Sequence, residues 1–471
     1  MSFNSFPFIV FIVIFFLAWP FFKKRQNQRF LLLVIGSFVF YGWWDWRFLF
    51  LIIFSGLVDF VSAILINRYR NKARIFLVLS ILVNVGILGV FKYSSFIAEQ
   101  IDHLFQFISY PFSLKDKIPG FALILPVGIS FYTFQSMSYT IDVYRGKLEP
   151  TKNILHFFSY LAMFPQLVAG PIVRAKDFLK QLKVNRKVSA IEFWNGIKLI
   201  IIGYFQKTVL ADNLGVLVDN AFAGIDNGMG IYWWIVMSCF AFQIYFDFNG
   251  YSQIARGLAK LMGYHFKMNF NHPYIALSLK DFWTRWHISL STWFRDYVYI
   301  PLGGSKKGEI RSHANMWVTM TLSGLWHGAQ INFILWGMYH SAALSIERLA
   351  NKFFTPIFKL NFSILKWSAT LFAVLVGWVF FRASSIDQIV FVLNGMFTPN
   401  LNFDFLNVNK DPILFLVIAI LIEIVFIFLK NNKILKRVSK NLVVETLTYA
   451  ILICSILFLR GPEKEFIYFQ F

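Results

Sequence analysis

Long apolar runs separated by short polar breaks dominate the chain, and their lengths predict its main elements. The runs lie near residues 5–22, 29–44, 46–66, 74–93, 121–137, 191–210, 230–247, 315–345, 363–382, 411–430 and 441–460. A bilayer core requires ~20 apolar residues per helix, so most of these runs are long enough to cross one. The 315–345 run is too long for one simple crossing and is predicted to bend or break. The pattern therefore predicts an all-α polytopic membrane protein. No internal repeat, low-complexity linker or separate soluble domain interrupts it, so residues 1–471 read as a single membrane domain.

One region breaks the pattern. Residues 248–312 interleave charges, aromatics, Gly and Pro without an uninterrupted span, yet are too hydrophobic for a solvated loop. Short re-entrant or interfacial amphipathic helices in the cytoplasmic leaflet fit such a pattern. Polar backbone at membrane depth is tolerated where it lines a protein-walled cavity, so this region is expected to build a cytoplasmic funnel.

Composition agrees with a membrane class. The chain is 57% hydrophobic and 20% aromatic, only 15% charged, with mean hydropathy +0.59. In a soluble protein the net charge of +21 would suggest nucleic acid. Here the aromatic surplus sits inside apolar runs, so no nucleic-acid partner is expected, and the charge is assigned to basic loops at the cytoplasmic membrane face. "KKRQNQR", "NRYRNKAR", "RAKDFLKQLKVNRK" and "KNNKILKR" are placed there. "ADNLGVLVDNAFAGIDNG" (211–228) and "NFDFLNVNKD" (402–411) are acidic to neutral and are placed outside, with the N-terminus and the tail 462–471. The first run has no basic region before it and no small-residue cleavage site after it, so it reads as a retained helix. Cys239 and Cys454 both sit in apolar segments and read as buried thiols.

Candidate chemistry begins where charge is most strictly excluded. No Asp, Glu, Lys or Arg lies between Arg311 and Glu347, yet "SGLWHGAQINFILWGMYH" (323–340) keeps His327 and His340. A third imidazole, His287, lies in "FWTRWHISLSTWFRDYVY". A neutral imidazole takes up a proton at physiological pH and is the natural base in a low-dielectric passage. Ionisable groups inside a membrane are costly and usually mark a path or a reaction, which favours function at His287 and His327 over packing. His340 has no surrounding motif and is read as a packing residue. Gly324 and Gly328 would let another backbone or a substrate come close to His327. The Trp326 indole is suited either to donate to a developing oxyanion or simply to pack.

Several longer motifs now carry a resemblance. "PVGISFYTFQSMSYTIDVYRG", "FPQLVAGPIVR", "FDFNGYSQIARG", "NFNHPYIALSLKDFWTRWHISLSTWFRDYVYIPLGG" and "SGLWHGAQINFILWGMYH" together resemble the membrane-bound O-acyltransferase family. The match is to its bacterial branch of alginate and peptidoglycan O-acetyltransferases and the teichoic acid D-alanyl exporter, and it covers nearly the whole chain. It implies a bundle of about eleven crossings, with a cytoplasmic and an outer funnel meeting at a thin wall. It also implies that His327 of "LWHGA" is the catalytic histidine and that His287 of "RWHISLS" is its partner.

These readings together predict an O-acyltransferase of the cytoplasmic membrane. It would take an acetyl group from a cytosolic thioester, acetyl-CoA, for O-acetylation of a cell-envelope polysaccharide. His327 would accept the proton of the attacking hydroxyl, and His287 would orient the donor or stabilise charge. Asn269, Arg285, Ser289 and Trp326 are candidates for the donor funnel, with Lys306 and Lys307 placed to meet phosphates of coenzyme A or lipid head groups. Arg295 and Asp296 are expected to pair in its wall. No metal and no permanently bound cofactor is expected. Partners are the membrane lipid and a periplasmic or extracellular acetyltransferase with a hydrolase-like domain, since this chain contains none. The tail "FIYFQF" carries the spacing Phe-x-Tyr-x-x-Phe, which resembles the tail of the small partner peptide of the D-alanyl exporter. Either Tyr468 carries the acyl group, or the aromatics anchor the terminus at the interface. D-alanyl transfer from a carrier-protein thioester is the alternative enzyme. A proton-coupled transporter is the alternative of another class, although the inverted repeats common in that class are missing.

Overall fold

The computed structural model describes residues 1–108, 113–168, 170–224, 228–354, 363–439 and 441–469. Among the described residues every regular element is a helix. Five helical segments are long and apolar enough to cross a membrane: Gln26–Arg68, Arg70–Phe107, Ile231–Leu261, Ser363–Arg382 and Lys410–Leu429. Phe6–Phe22, Ile386–Phe397 and Leu442–Phe458 are shorter apolar helices. The chain groups into two compact units, Met1–Ile197 with Ile254–Lys267, and Lys198–Gln253 with Met268–Phe471.

The first unit shows how a membrane bundle is joined without a hydrophobic driving force between its helices. Asp59, on helix Leu49–Arg68, is fully buried. Its carboxylate accepts from Ser80 and the Asn84 amide on Ala73–Leu88, and from Ser136 and Thr140 on Ile129–Tyr144. In lipid, interhelical hydrogen bonds of this kind act together with close van der Waals packing to hold helices together.

The second unit contains the region around the histidines. The 315–345 run does break, into Glu309–His327 and Ile331–Phe354, with Gly328 extended between them. The two helices pack through glycine. A Cβ on Gly324 would strike the Phe333 carbonyl, and one on Gly337 would strike the Met320 carbonyl. Both obstacles are backbone and have little room to yield. Gly324→Ala is therefore expected to cost roughly 1–3 kcal/mol as overpacking and to lower the thermal midpoint of the purified protein. A parental midpoint would show that the hairpin tolerates a wider spacing.

Four expectations are corrected. Residues 211–228 fall between two of the expected spans, yet Asp212–Phe222 is a helix; residues 225–227 lie outside the described set. The 121–137 span does not start at 121: Gly120–Leu123 is a short 3₁₀ turn, and the helix begins at Ile129 behind Gly128 at φ +74°. The region 248–312 is not made only of short helices, because residues 248–261 complete the 31-residue helix Ile231–Leu261. Cys454 is exposed on the Leu442–Phe458 helix; only Cys239 is buried.

Candidate active site

His287 sits at an elbow between two short helices, Leu279–Arg285 and Ile288–Phe294. Its backbone is left-handed, at φ +41°, a conformation uncommon outside glycine that costs of order 1–3 kcal/mol and needs support from its surroundings. Asn269 supplies that support. Its carbonyl accepts from the Ile288 N–H at 2.8 Å, and its side-chain oxygen accepts from the Ser289 N–H at 3.1 Å and the Ser289 hydroxyl at 2.9 Å. Asn269 is itself buried. Asn269→Ala removes the two bonds from Ser289 and the amide's own bond to Ser252, leaving a part-buried N–H without its acceptor, at about 1–3 kcal/mol. It is expected to lower thermal stability and turnover together, whereas Asn269→Asp, which keeps the acceptor, should retain more of both.

His287 is 1% exposed. Burial pushes its imidazole down to about 3, so the ring is neutral at physiological pH. It can donate or accept a hydrogen bond but cannot supply a standing positive charge.

His327 ends the helix Glu309–His327 and is 4% exposed. Its ring lies 5.2 Å, centroid to centroid, from both Trp336 and Phe381, and 6.5 Å from His287. Trp326 is buried beside both imidazoles, 6.0 Å from His287 and 5.0 Å from His327. His340 packs against Trp283 and against Trp336, the indole that also touches His327.

Tyr468 completes the cluster. The tail runs back into the second unit, and the phenol ring stands 5.6 Å from His327 and 6.3 Å from His287. Phe248 holds it from one side, at 4.3 Å, and Phe466 stacks on it at 5.6 Å. Burial, reinforced by the Asp247 carboxylate, pushes the Tyr468 phenol above its ordinary range. The hydroxyl is therefore protonated and needs a base to become a nucleophile. Phe471, the last residue of the tail motif, lies outside the described residues.

A cavity of about 510 Å³ approaches the same place within this unit. Its lining includes Lys280, Trp283, Arg295, Thr319, Ser323 and Arg348. Ser323 is one helical turn before His327, ~6 Å along the axis. Three cations thus line the cavity, and one turn of helix separates its Ser323 wall from the catalytic candidate. The four residues assigned to the donor funnel from sequence make the following contacts. Arg285 pairs with Asp281 at 2.8 Å, Asn269 and Ser289 bond to each other, and Trp326 packs beside the imidazoles. None of the four lines this cavity, and neither do Lys306 and Lys307. Arg295 and Asp296 pair at 2.9 Å, as expected. Lys280, Ser323 and Arg348 went unnoticed because they converge only in three dimensions. The one available signal was the i, i+4 spacing of Ser323 and His327 on one helix face.

Comparison with known proteins places this sequence among acyltransferases. Residues 148–386 match the model of the membrane-bound O-acyltransferase family, a span that contains both histidines. A probable alginate O-acetylase of Pseudomonas putida is 39% identical, covering 84% of this chain and 80% of the relative. A peptidoglycan O-acetyltransferase of Helicobacter pylori is 32% identical over 93% and 91%. A teichoic acid D-alanyltransferase of Bacillus subtilis is 29% identical over 60% and 71%.

Proposed function

Because this chain belongs to the membrane-bound O-acyltransferase family, we propose that it passes an acetyl group from acetyl-CoA in the cytosol, through His327 and Tyr468, to the outer face for O-acetylation of a cell-envelope polysaccharide. Family membership makes it a multi-pass membrane O-acyltransferase, not a transporter. The finer reading rests on one observation: Tyr468 reaches the two histidines while the cation-lined cavity stops one helical turn short of them.

The chemistry balances with these groups alone. The thioester carbonyl enters along the Ser323 wall, with the coenzyme's phosphates at Lys280, Arg295 and Arg348. His327 takes the Tyr468 proton as the phenol oxygen attacks the acyl carbon. The C–S bond breaks, and the imidazolium returns the proton to the leaving thiolate. His287, neutral, orients the reacting carbonyl by hydrogen bonding. A sugar hydroxyl then attacks the tyrosyl ester, forms the O-acetyl sugar and regenerates the phenol. General base action of this type is worth ~10²–10⁴ in rate. A periplasmic or extracellular transferase with a hydrolase-like domain would complete the second step, with this chain in the cytoplasmic membrane and both termini outside. The greater identity and coverage of the O-acetylating relatives favour acetyl over D-alanyl.

The donor assignment is tested at the cavity cations, in inverted vesicles supplied with labelled acetyl-CoA. Lys280→Ala combined with Arg348→Ala should raise the donor KM about tenfold, the loss of about 1.4 kcal/mol of phosphate binding. Its kcat should stay within about twofold, because neither residue reaches the reacting carbon. An unchanged KM, or a parent protein that leaves acetyl-CoA unconsumed, would remove coenzyme A from this cavity.

A further inference from the structure

The tail does not merely lie in the second unit; one buried ion pair grips its backbone. Lys207, in the π-helical stretch Phe205–Ala211, stands 2.8 Å from Asp212 and 2.7 Å from Asp247. Its ammonium also donates to the Lys464 carbonyl at 3.0 Å. The other oxygen of Asp247 accepts from the Ile467 N–H at 2.7 Å. Lysine and aspartate thus hold the tail at two backbone points three residues apart. Nearer the membrane helix the Gly461 N–H donates to the Thr208 carbonyl at 2.9 Å, and Asn213 donates to the Leu459 carbonyl at 2.9 Å. Gly215 leaves room for the approach, since a Cβ there would lie 2.8 Å from the Lys464 ammonium.

Such a cluster is an unexpected choice for stability. Burying the three charges of Lys207, Asp212 and Asp247 costs desolvation that their attraction often fails to recover, and apolar replacements of similar volume are frequently as stable. What charge provides and apolar packing does not is a fixed, directional grip on backbone N–H and C=O groups. That grip sets register. Ile467 is the residue before Tyr468, so the Asp247 bond fixes the phenol to within one residue's reach, ~3.8 Å. A slip by one position would offer Ile467 or Phe469 to the imidazoles in place of the only hydroxyl in "FIYFQF". The residue after Asp247 continues the same arrangement: Phe248 lies 4.3 Å from Tyr468 and 4.6 Å from His287.

We infer that Lys207 and Asp247 are positioning residues that lock the register of the C-terminal tail, so that the Tyr468 hydroxyl is the group presented to His327. This rests on the reading of Tyr468 as acyl carrier. The test uses the full-length chain in lipid nanodiscs, given a pulse of labelled acetyl-CoA. Three quantities are read: the fraction of Tyr468 acetylated, by peptide mass spectrometry; the donor KM; and cleavage after Lys464 by a lysine-specific protease. Asp247→Leu, which removes the acceptor, should lower the rate of Tyr468 acetylation by about 10–100-fold, the worth of a charge-assisted bond. It should also expose Lys464 to cleavage while leaving the donor KM unchanged. Asp247→Asn, which keeps an acceptor for the Ile467 N–H, should recover most of the acetylation and guards against misfolding of the leucine variant. Parental acetylation and parental protection in both variants would overturn the inference and leave the carrier reading standing. Transfer by the parent with Tyr468 never acetylated would overturn both.

Discussion

His327→Ala is expected to lower acyl transfer by at least about 10³-fold, within the range general base catalysis supplies, while donor binding in the cation-lined cavity persists. The reason is local. Burial keeps the Tyr468 phenol protonated, and His327 is the nearer of the two imidazoles to it, at 5.6 Å against 6.3 Å. Alanine also leaves a void beside Trp336 and Phe381. His327→Gln, which fills more of that space without supplying a base, should be equally inactive and better folded. The check is consumption of labelled acetyl-CoA, with thermal midpoints measured in parallel. Parental turnover in His327→Gln would move the catalytic base elsewhere.

Tyr468→Phe is the second large effect. The substitution preserves the ring held by Phe248 and Phe466 and removes only the hydroxyl, at ~0.5–1.5 kcal/mol for a typical hydrogen bond. Stability should therefore move little, while transfer to acceptor falls by about 100-fold or more, since no nucleophile remains at that position. Deleting residues 465–471 is a blunter experiment, because Phe466 and Ile467 are buried and their loss unpacks the unit. A phenylalanine variant with parental transfer would leave the tail as an anchor and nothing more.

The residues of the candidate centre are more conspicuous in the sequence than those around them. His327 stands out because an imidazole is conspicuous where charge is excluded, whereas His287 lies among charges and is marked by its motif, and Tyr468 by the resemblance of the tail to a partner peptide. Their convergence within one unit needed only that the tail fold back. The cation-lined cavity is illegible in sequence for a physical reason: Lys280 and Arg348 are far apart in the chain and meet only when helices pack. Asn269 and Ser289 were noticed for their polarity but serve a backbone elbow, which hydropathy does not register.

The misread helices have similarly specific causes. In "ADNLGVLVDNAF", Asp212 and Asp219 recur at a seven-residue spacing opposite Leu214, Leu217 and Val218, a helical period masked by low net hydropathy. The helix through residues 248–261 stayed hidden because Asn249 and Ser252 are polar, yet they bond to Gln206 and Asn269 inside the protein. Polar residues that join helices lower hydropathy without ending the helix. At 121–137 the apolar run hides a backbone turn at Gly128, which composition does not encode.

The most direct test places labelled acetyl-CoA on the cytoplasmic face of sealed inverted vesicles and sequences the tail peptide after a rapid quench. The account predicts acetyl on the Tyr468 oxygen in the parent protein, chased off when acceptor and its transferase are enclosed in the vesicle lumen, and none in His327→Gln. Acceptor acetylated at the parental rate while Tyr468 stays bare, or equal labelling of Tyr468 without the imidazole at 327, would contradict it.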